Sequence, residues 1–257
     1  MILRMREFDR LSVAYDSSID WPSRLGKEIP FLLKCLPTSK RSRALDIACG
    51  SGRHSIALAH KGVEVVGFDN SAQMIKIART LADKEGANPE FLVADMLRVE
   101  RVVDPGFDLI ICLGNSLALL PTLDAVKKVV SSVYSLLSPG GSFVLQVLNF
   151  EEIWKSGFRF FPVKGGITQQ GDEVVFTRFF EHSEERPVST LVMTGLTKNH
   201  GQWSSEVSTL QILNLDSVVL RDIMSSSGFV NVDFFSDYQG AAFSKLTSRD
   251  LIALARK

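Results

Sequence analysis

The sequence predicts a doubly wound α/β fold, a parallel sheet covered by helices on both faces. Three observations predict it. From Arg43 to about Phe150, short continuous apolar runs alternate with amphipathic helical stretches, the pattern of strands buried on both sides. The first run opens directly onto a turn with two glycines and then a helix start. Successive runs end in polar residues, Asp46, Asp69, Asp95 and Asn115, at the edge where doubly wound sheets bind ligands.

The elements follow in order. RALDIA (43–48) is the first strand, and HSIALAHKG continues the helix after the glycine turn. VEVVGF (63–68) leads into the helical SAQMIKIARTLADKEG, with Ser71 placed to cap it. EFLVA (90–94) is followed by a loop and by the strand FDLIIC (107–112). Leu123 to Leu137 sets Val126, Val129, Val130, Val133 and Leu137 on one helical face. Pro139-Gly140-Gly141 is read as the stop of that helix, and SFVLQVL (142–148) as the next strand. Right-handed crossovers between such strands wind the sheet both ways.

The pattern changes after Asn149. Between Val174 and Leu213 lie three β-rich runs, VVFTRFF, STLVMTGLT and SSEVSTLQIL, separated by EHSEERP and NHGQ. Consecutive strands without a helical period between them predict an antiparallel meander. A helix near Asp216–Ser227, a strand at VNVDFF and a last strand at LIALAR then resume the core. The expected organisation is an N-terminal helical cap (1–42), a Rossmann-like core (43–149 and 214–257) and a β-rich insertion (150–213) facing the substrate as a lid.

Composition bounds the partners. The 257 residues are 45% hydrophobic, enough for a full core, and Lys plus Arg equals Asp plus Glu at 29 each. A neutral total argues against capture of a nucleic-acid backbone, which needs a basic face. Cys35, Cys49 and Cys112 and four histidines lie scattered without metal-ligand spacing, so no metal is expected and the cysteines read as reduced thiols. MILRMREFDRLSVAYDSSID interrupts every apolar stretch with charge, which fits neither a signal peptide nor a membrane span. A cytoplasmic protein with a small-molecule substrate is expected; the sequence sets no oligomeric state.

LDIACGSGRHS (45–55) carries the strongest local signal: a buried strand ending in an acid, a turn with Gly50 and Gly52, and an immediate helix. Glycines there tolerate positive φ and let a ligand approach the backbone, and the helix start offers free N–H groups. The same turn also serves simply to join strand to helix. At the tip of the next strand Asp69 can accept from both hydroxyls of a ribose, Ser71 leaving it to a ligand. Asp95 can accept from an adenine amino group while Met96 covers the ring. LIICLGNSLALL brings Gly114, Asn115 and Ser116 to the mouth of the same crevice.

LDIACGSG, FDNSAQM, VADM and CLGNSLALL, in that order, resemble the class I S-adenosylmethionine-dependent methyltransferases. The resemblance implies strand order 3-2-1-4-5-7-6 with strand 7 antiparallel, and LIALARK fits that last strand. It implies that Ala48, Gly50 and Gly52 lie against the methionine moiety of S-adenosylmethionine and that Asp46 organises the loop and its ammonium partner. Asp69 would hold the ribose, Asn70 and Met74 would border the adenine, and Asp95 and Met96 would read it. Leu113 and Gly114 would line the ammonium end. CLGNSLALL is similar to the loop of glycine and sarcosine N-methyltransferases, with Leu117 and Leu119 where those enzymes usually carry an aromatic and a histidine. The N-terminal segment is also family-like: Tyr15, Trp21 and Arg24 stand where a helix closes over the cofactor, and Arg24 offers a planar fork for a carboxylate.

Methyl transfer from a sulfonium is an in-line displacement with a good leaving group, so positioning dominates and a dedicated base is optional. No catalytic residue is therefore singled out. Polar candidates around the acceptor are Asn115, Gln146 and Asn149 on the sheet edge and Arg159, Arg178 and His182 from the insertion. Most phenylalanines of the insertion are expected in its core, a few in the acceptor pocket. Two rival readings remain open: a nicotinamide-dependent oxidoreductase on a similar fold, and a non-catalytic nucleotide-binding or assembly protein.

Overall fold

The computed structural model describes residues 11, 15–37, 42–168, 171–182 and 188–257. Most of the expected cap before Tyr15, and most of the separator EHSEERP, lie outside the described residues.

Helix α1 (Trp21–Lys34) starts where the Asp20 carboxylate accepts from the Ser23 N–H, with Pro22 in its first turn. The core then alternates β1 (Arg43–Ile47), α2 (Arg53–Ala59), β2 (Glu64–Asp69), α3 (Ala72–Glu85), β3 (Glu90–Val93), β4 (Phe107–Cys112), α4 (Leu123–Leu136) and β5 (Leu137–Leu148). After the insertion come α6 (Ser217–Ser226), β10 (Val230–Phe235) and β11 (Asp250–Arg256). The seven-stranded sheet has the order β10-β11-β5-β4-β1-β2-β3. β11 pairs antiparallel with both β10 and β5, while β5, β4, β1, β2 and β3 run parallel. This is the order and the reversed strand that the motifs implied.

The sheet is buried on both faces. Leu45, Ile47, Ile110 and Phe143 pack with Val126 and Val130 of α4 and Leu220 of α6. Ala44, Leu109 and Ile111 face Ile29 and Leu32 of α1 and Leu58 of α2. Parallel strands therefore read as continuous apolar runs, because neither face meets water.

Two elements depart from the expected boundaries. α4 stops at Leu136, before the proline, because Leu137 is already extended. Pro139, Gly140 and Gly141 are carried inside β5, where the register against β4 shifts between Phe107 and Leu109. Gly141 is required at that shift: a Cβ would lie 2.9 Å from the Ser138 carbonyl oxygen. The loop after β3 also contains a 3-10 turn, Met96–Arg101, capped by Asp95.

A short helix, α5 (Phe150–Ser156), precedes the insertion's own sheet and was not expected. That sheet has four antiparallel strands rather than three: β6 (Lys164–Ile167), β7 (Glu173–His182), β8 (Val188–Asn199) and β9 (Gln202–Leu213), in chain order. β6, with two glycines in KGGI, has no alternating pattern; pairing with β7 makes it a strand. Between β8 and β9 the chain turns at His200 and Gly201, both left-handed, the geometry of a tight hairpin. Phe176, Phe180, Met193 and Ile212 from this sheet are buried in the same apolar cluster as Leu145 and Val147 of β5. Among the described residues no helix is long and apolar enough to cross a membrane.

Candidate active site

The tips of β1, β2, β3 and β4 converge on one cavity of about 240 Å³. Asp46 and Ala48 come from the end of β1, Asp69 and Asn70 from β2, Asp95 and Met96 from β3, and Leu113 and Gly114 from β4. Gly50 supplies the glycine turn, Met74 reaches in from α3, and Tyr15, Trp21 and Arg24 close the cavity from the N-terminal side.

Each acid at a strand tip is also held by the protein. The Asp69 carboxylate accepts from the Gly50 and Ser71 N–H groups, both at 2.9 Å, so it fixes the glycine turn as well as facing the cavity. It is therefore more engaged than expected, although Ser71 does cap α3 through the Met74 N–H. Asp95 accepts from the Leu97 N–H at 2.9 Å. Asp46 accepts from the Ser55 hydroxyl at 2.7 Å. Burial pushes the Asp46 carboxyl up to about 6, against the opposing charge of His54 and the hydroxyl of Ser55.

Gly52 is the exception among the residues expected at the cofactor. It does not line the cavity but sits at φ +74° at the start of α2, where a Cβ would come within 2.4 Å of the Phe91 ring and 2.9 Å of Ala78. Its smallness lets α2 pack on β3 and α3.

A second cavity, about 290 Å³, adjoins the first and shares with it Tyr15, Ile19, Arg24, Gly114 and Leu119. Of the six polar residues named as acceptor candidates, Asn115, Gln146 and Arg178 line it. Asn115 holds a left-handed φ of 66°, and its amide oxygen accepts from the Leu148 N–H. The other three candidates lie elsewhere. Asn149 is fully buried, capping α5 through the Glu151 N–H and donating to the Lys245 and Ser248 carbonyls. Arg159 donates to the Phe180 carbonyl at 3.0 Å, and His182 donates to the Phe158 carbonyl at 2.8 Å while its ring stacks on Phe180. Arg159 and His182 thus brace residues 158–182 internally, and Asn149 ties the start of α5 to the loop before β11.

Between the cavities runs a buried charged network of which only Arg24 was legible in sequence. Arg24 donates to Glu28 at 2.8 Å, and the other Glu28 oxygen meets His54 in a short contact. Burial alone would raise the Glu28 carboxyl; the hydrogen bond and charge of His54, then Arg24, outweigh it and hold it below its ordinary value. Glu28 and His54 lie 26 positions apart, on α1 and α2, so no local motif could have joined them. Arg24 is thus already paired, although its guanidinium still lines both cavities. Trp21 stands beside this network with the guanidinium groups of Arg24 and Arg53 near its ring, at 5.2 and 5.8 Å, and donates to the Asp16 carbonyl. Deeper in the second cavity, Gln146 accepts from the Gly114 N–H at 2.8 Å and donates to Asp250 at 2.7 Å.

Residues 44–141 match the family described as Methyltransferase domain. The glycine/sarcosine N-methyltransferase of Aphanothece halophytica is 32% identical over 226 residues, covering 88% of this chain and 80% of that enzyme. That of Parasynechococcus marenigrum is 29% identical over 226 residues, covering 88% and 76%. In fold, an S-adenosylmethionine-dependent methyltransferase from Clostridium acetobutylicum is similar with a TM-score of 0.76 at 17% identity, covering 94% of each chain. With the strand order, the reversed last strand and the convergence of four strand tips on one cavity, these similarities assign the family: this chain belongs to the class I S-adenosylmethionine-dependent methyltransferases.

Proposed function

We propose that the first cavity holds S-adenosylmethionine and that the second receives a small amine, which is methylated on nitrogen. One observation carries the reading: the two cavities meet at Gly114, Ile19 and Leu119, so donor and acceptor can face each other across a short neck.

The residues of the first cavity suit the donor's parts. Asp69 has the charge and position to accept from ribose hydroxyls, and Asp95 from an adenine amino group, with Asn70, Met74 and Met96 against the ring. Asp46, Ala48, Gly50, Leu113 and Gly114 surround the place left for the amino-acid end, and Arg24 and Tyr15 cover it. When bound, the sulfonium supplies an activated methyl group with a neutral leaving sulfur. The chain's contribution is to align acceptor, methyl and sulfur and to exclude water, which together lower the barrier by up to about 7–11 kcal/mol. Residues 150–213 act as the lid over the acceptor; Phe161, Arg178, Leu191, Met193, Leu210 and Ile212 all reach the second cavity from that segment. The amine acceptor is supported by the relatives named above, which are N-methyltransferases. A cytoplasmic location is supported by the three buried cysteines, which are free thiols.

Isothermal calorimetry tests the cofactor assignment. S-adenosylmethionine and S-adenosylhomocysteine should bind, and nicotinamide dinucleotides should not. Asp69→Asn should weaken S-adenosylhomocysteine binding by about tenfold or more, since hydrogen bonds to a charged group contribute about 1.5–3 kcal/mol. Unchanged affinity in the folded variant removes Asp69 from the ribose site.

A further inference from the structure

The second cavity says more about the acceptor than that it is an amine. One end, beside Gly114, is polar: Asp250, Gln146 and the Tyr238 hydroxyl line it, next to the paired Arg24 and Glu28. That hydroxyl is buried and has no hydrogen-bond partner among the described residues. A buried unpaired hydroxyl is costly unless a ligand completes it. Asp250 is held by Gln146, and burial raises its carboxyl above the ordinary value, against that hydrogen bond and the charge of Arg24. The insertion contributes an apolar wall, Leu191, Met193, Leu210 and Ile212 from β8 and β9 with Phe161, continued by Leu148 of β5, and two cations, Lys164 of β6 and Arg178 of β7.

Arg178 stands apart on β7. Its guanidinium lies 4.1 Å from the centre of the Phe161 ring and 5.5 Å from that of Tyr15. Among the described residues the guanidinium has no hydrogen-bond or ion-pair partner, yet Arg178 lines the cavity. An arginine stacked on aromatic rings with its edge donors unused is suited to a carboxylate.

Resting on the amine reading above, we propose that the acceptor is an α-amino acid with an apolar side chain, larger than glycine. Its amine lies against Asp250 and Tyr238, its carboxylate against Arg178, and its side chain on the wall formed by Leu191, Met193, Leu210 and Ile212. A water occupies about 30 Å³ of liquid, so glycine would leave most of a cavity of about 290 Å³ to solvent. Each methylene that covers the apolar wall instead favours binding roughly fourfold. The chemistry balances without another reactant. The substrate ammonium gives one proton to Asp250, and its lone pair forms the N–C bond as the C–S bond breaks. The sulfur keeps the electron pair of the broken C–S bond, the product is an N-methylammonium, and Asp250 passes its proton to solvent.

The test is a steady-state methylation assay with the full chain and S-adenosylmethionine. Acceptors are glycine, L-leucine, L-phenylalanine, and the last two without their carboxylates, isoamylamine and phenethylamine. Leucine or phenylalanine should exceed glycine in kcat/KM by at least tenfold, and loss of the carboxylate should cost about tenfold. Arg178→Gln should abolish the preference for the carboxylate. Asp250→Asn should lower turnover at least tenfold while S-adenosylhomocysteine affinity by calorimetry stays within about twofold in both variants. Glycine equal to or better than both larger amino acids overturns this proposal and leaves the amine reading standing, as does a carboxylate preference that survives Arg178→Gln. Binding of S-adenosylhomocysteine with no amine methylated overturns both.

Discussion

Asp46 sits on the floor of the first cavity with 3% of its surface exposed, and the nearest help for its charge is the Ser55 hydroxyl. Its carboxyl is pushed from 3.8 up to about 6, so the folded chain binds a proton more readily than the unfolded one between those values. The sign follows from linkage: this group's contribution to stability is fully present below about pH 4 and is lost as pH rises through about 6. Asp46→Asn keeps an oxygen for Ser55 and removes the buried charge. Relative to wild type, the variant should gain on the order of 2–3 kcal/mol between pH 4 and pH 7, read from urea unfolding at each pH. A stability difference independent of pH would show that Asp46 carries no such shift. The strand-tip acids were legible in sequence because a strand end fixes where its last residue faces. Gly52 was not: a glycine reads alike whether it spares room for a ligand or for Phe91. Glu28, Tyr238 and Asp250 lacked any local signal, since what gives them meaning is a partner from a distant element or a cavity they share.

At the scale of elements, periodicity carried the parallel core well and the insertion less well. β7, β8 and β9 announced themselves through β-branched and aromatic residues, and the hairpin between β8 and β9 through NHGQ. β6 and α5 are short, and both owe their form to neighbours: β6 to pairing with β7, α5 to the Asn149 cap. What the pattern could not reveal is how firmly this sheet is attached. Phe180 of β7 is fully buried, with ring centres 5.5 Å from Phe150 of α5 and 5.4 Å from Phe161. It thus joins the insertion to the end of the core strand β5. Truncating a large buried aromatic leaves a cavity that the surroundings fill only in part. Phe180→Ala should therefore lower unfolding free energy by about 3–5 kcal/mol, measured by denaturant titration. A loss below about 1 kcal/mol would mean that the insertion's sheet is only loosely seated on the core.

For the whole molecule, the consequence is a single cooperative unit. One apolar cluster runs from Val126 and Val130 of α4, through Leu145 and Val147 of β5, to Phe176 and Ile212 of the smaller sheet. The first cavity is closed by Tyr15, Trp21 and Arg24 at one side and by four strand tips at the other, so a ligand there ties the N-terminal segment to the core. Tyr15 in turn packs its ring 5.4 Å from Phe176, which links that segment to the insertion. Ligand stabilisation should consequently reach every element at once. S-adenosylhomocysteine at one hundred times its Kd stabilises the folded state by about 2.7 kcal/mol. For a chain of this length that corresponds to a rise in Tm of about 5–10 °C. Scanning calorimetry should show one transition that moves upward as a whole. Two transitions, only one of them shifted by ligand, would mean that the smaller sheet melts on its own, and the lid proposed for it would then have to close on the acceptor without help from the bound cofactor.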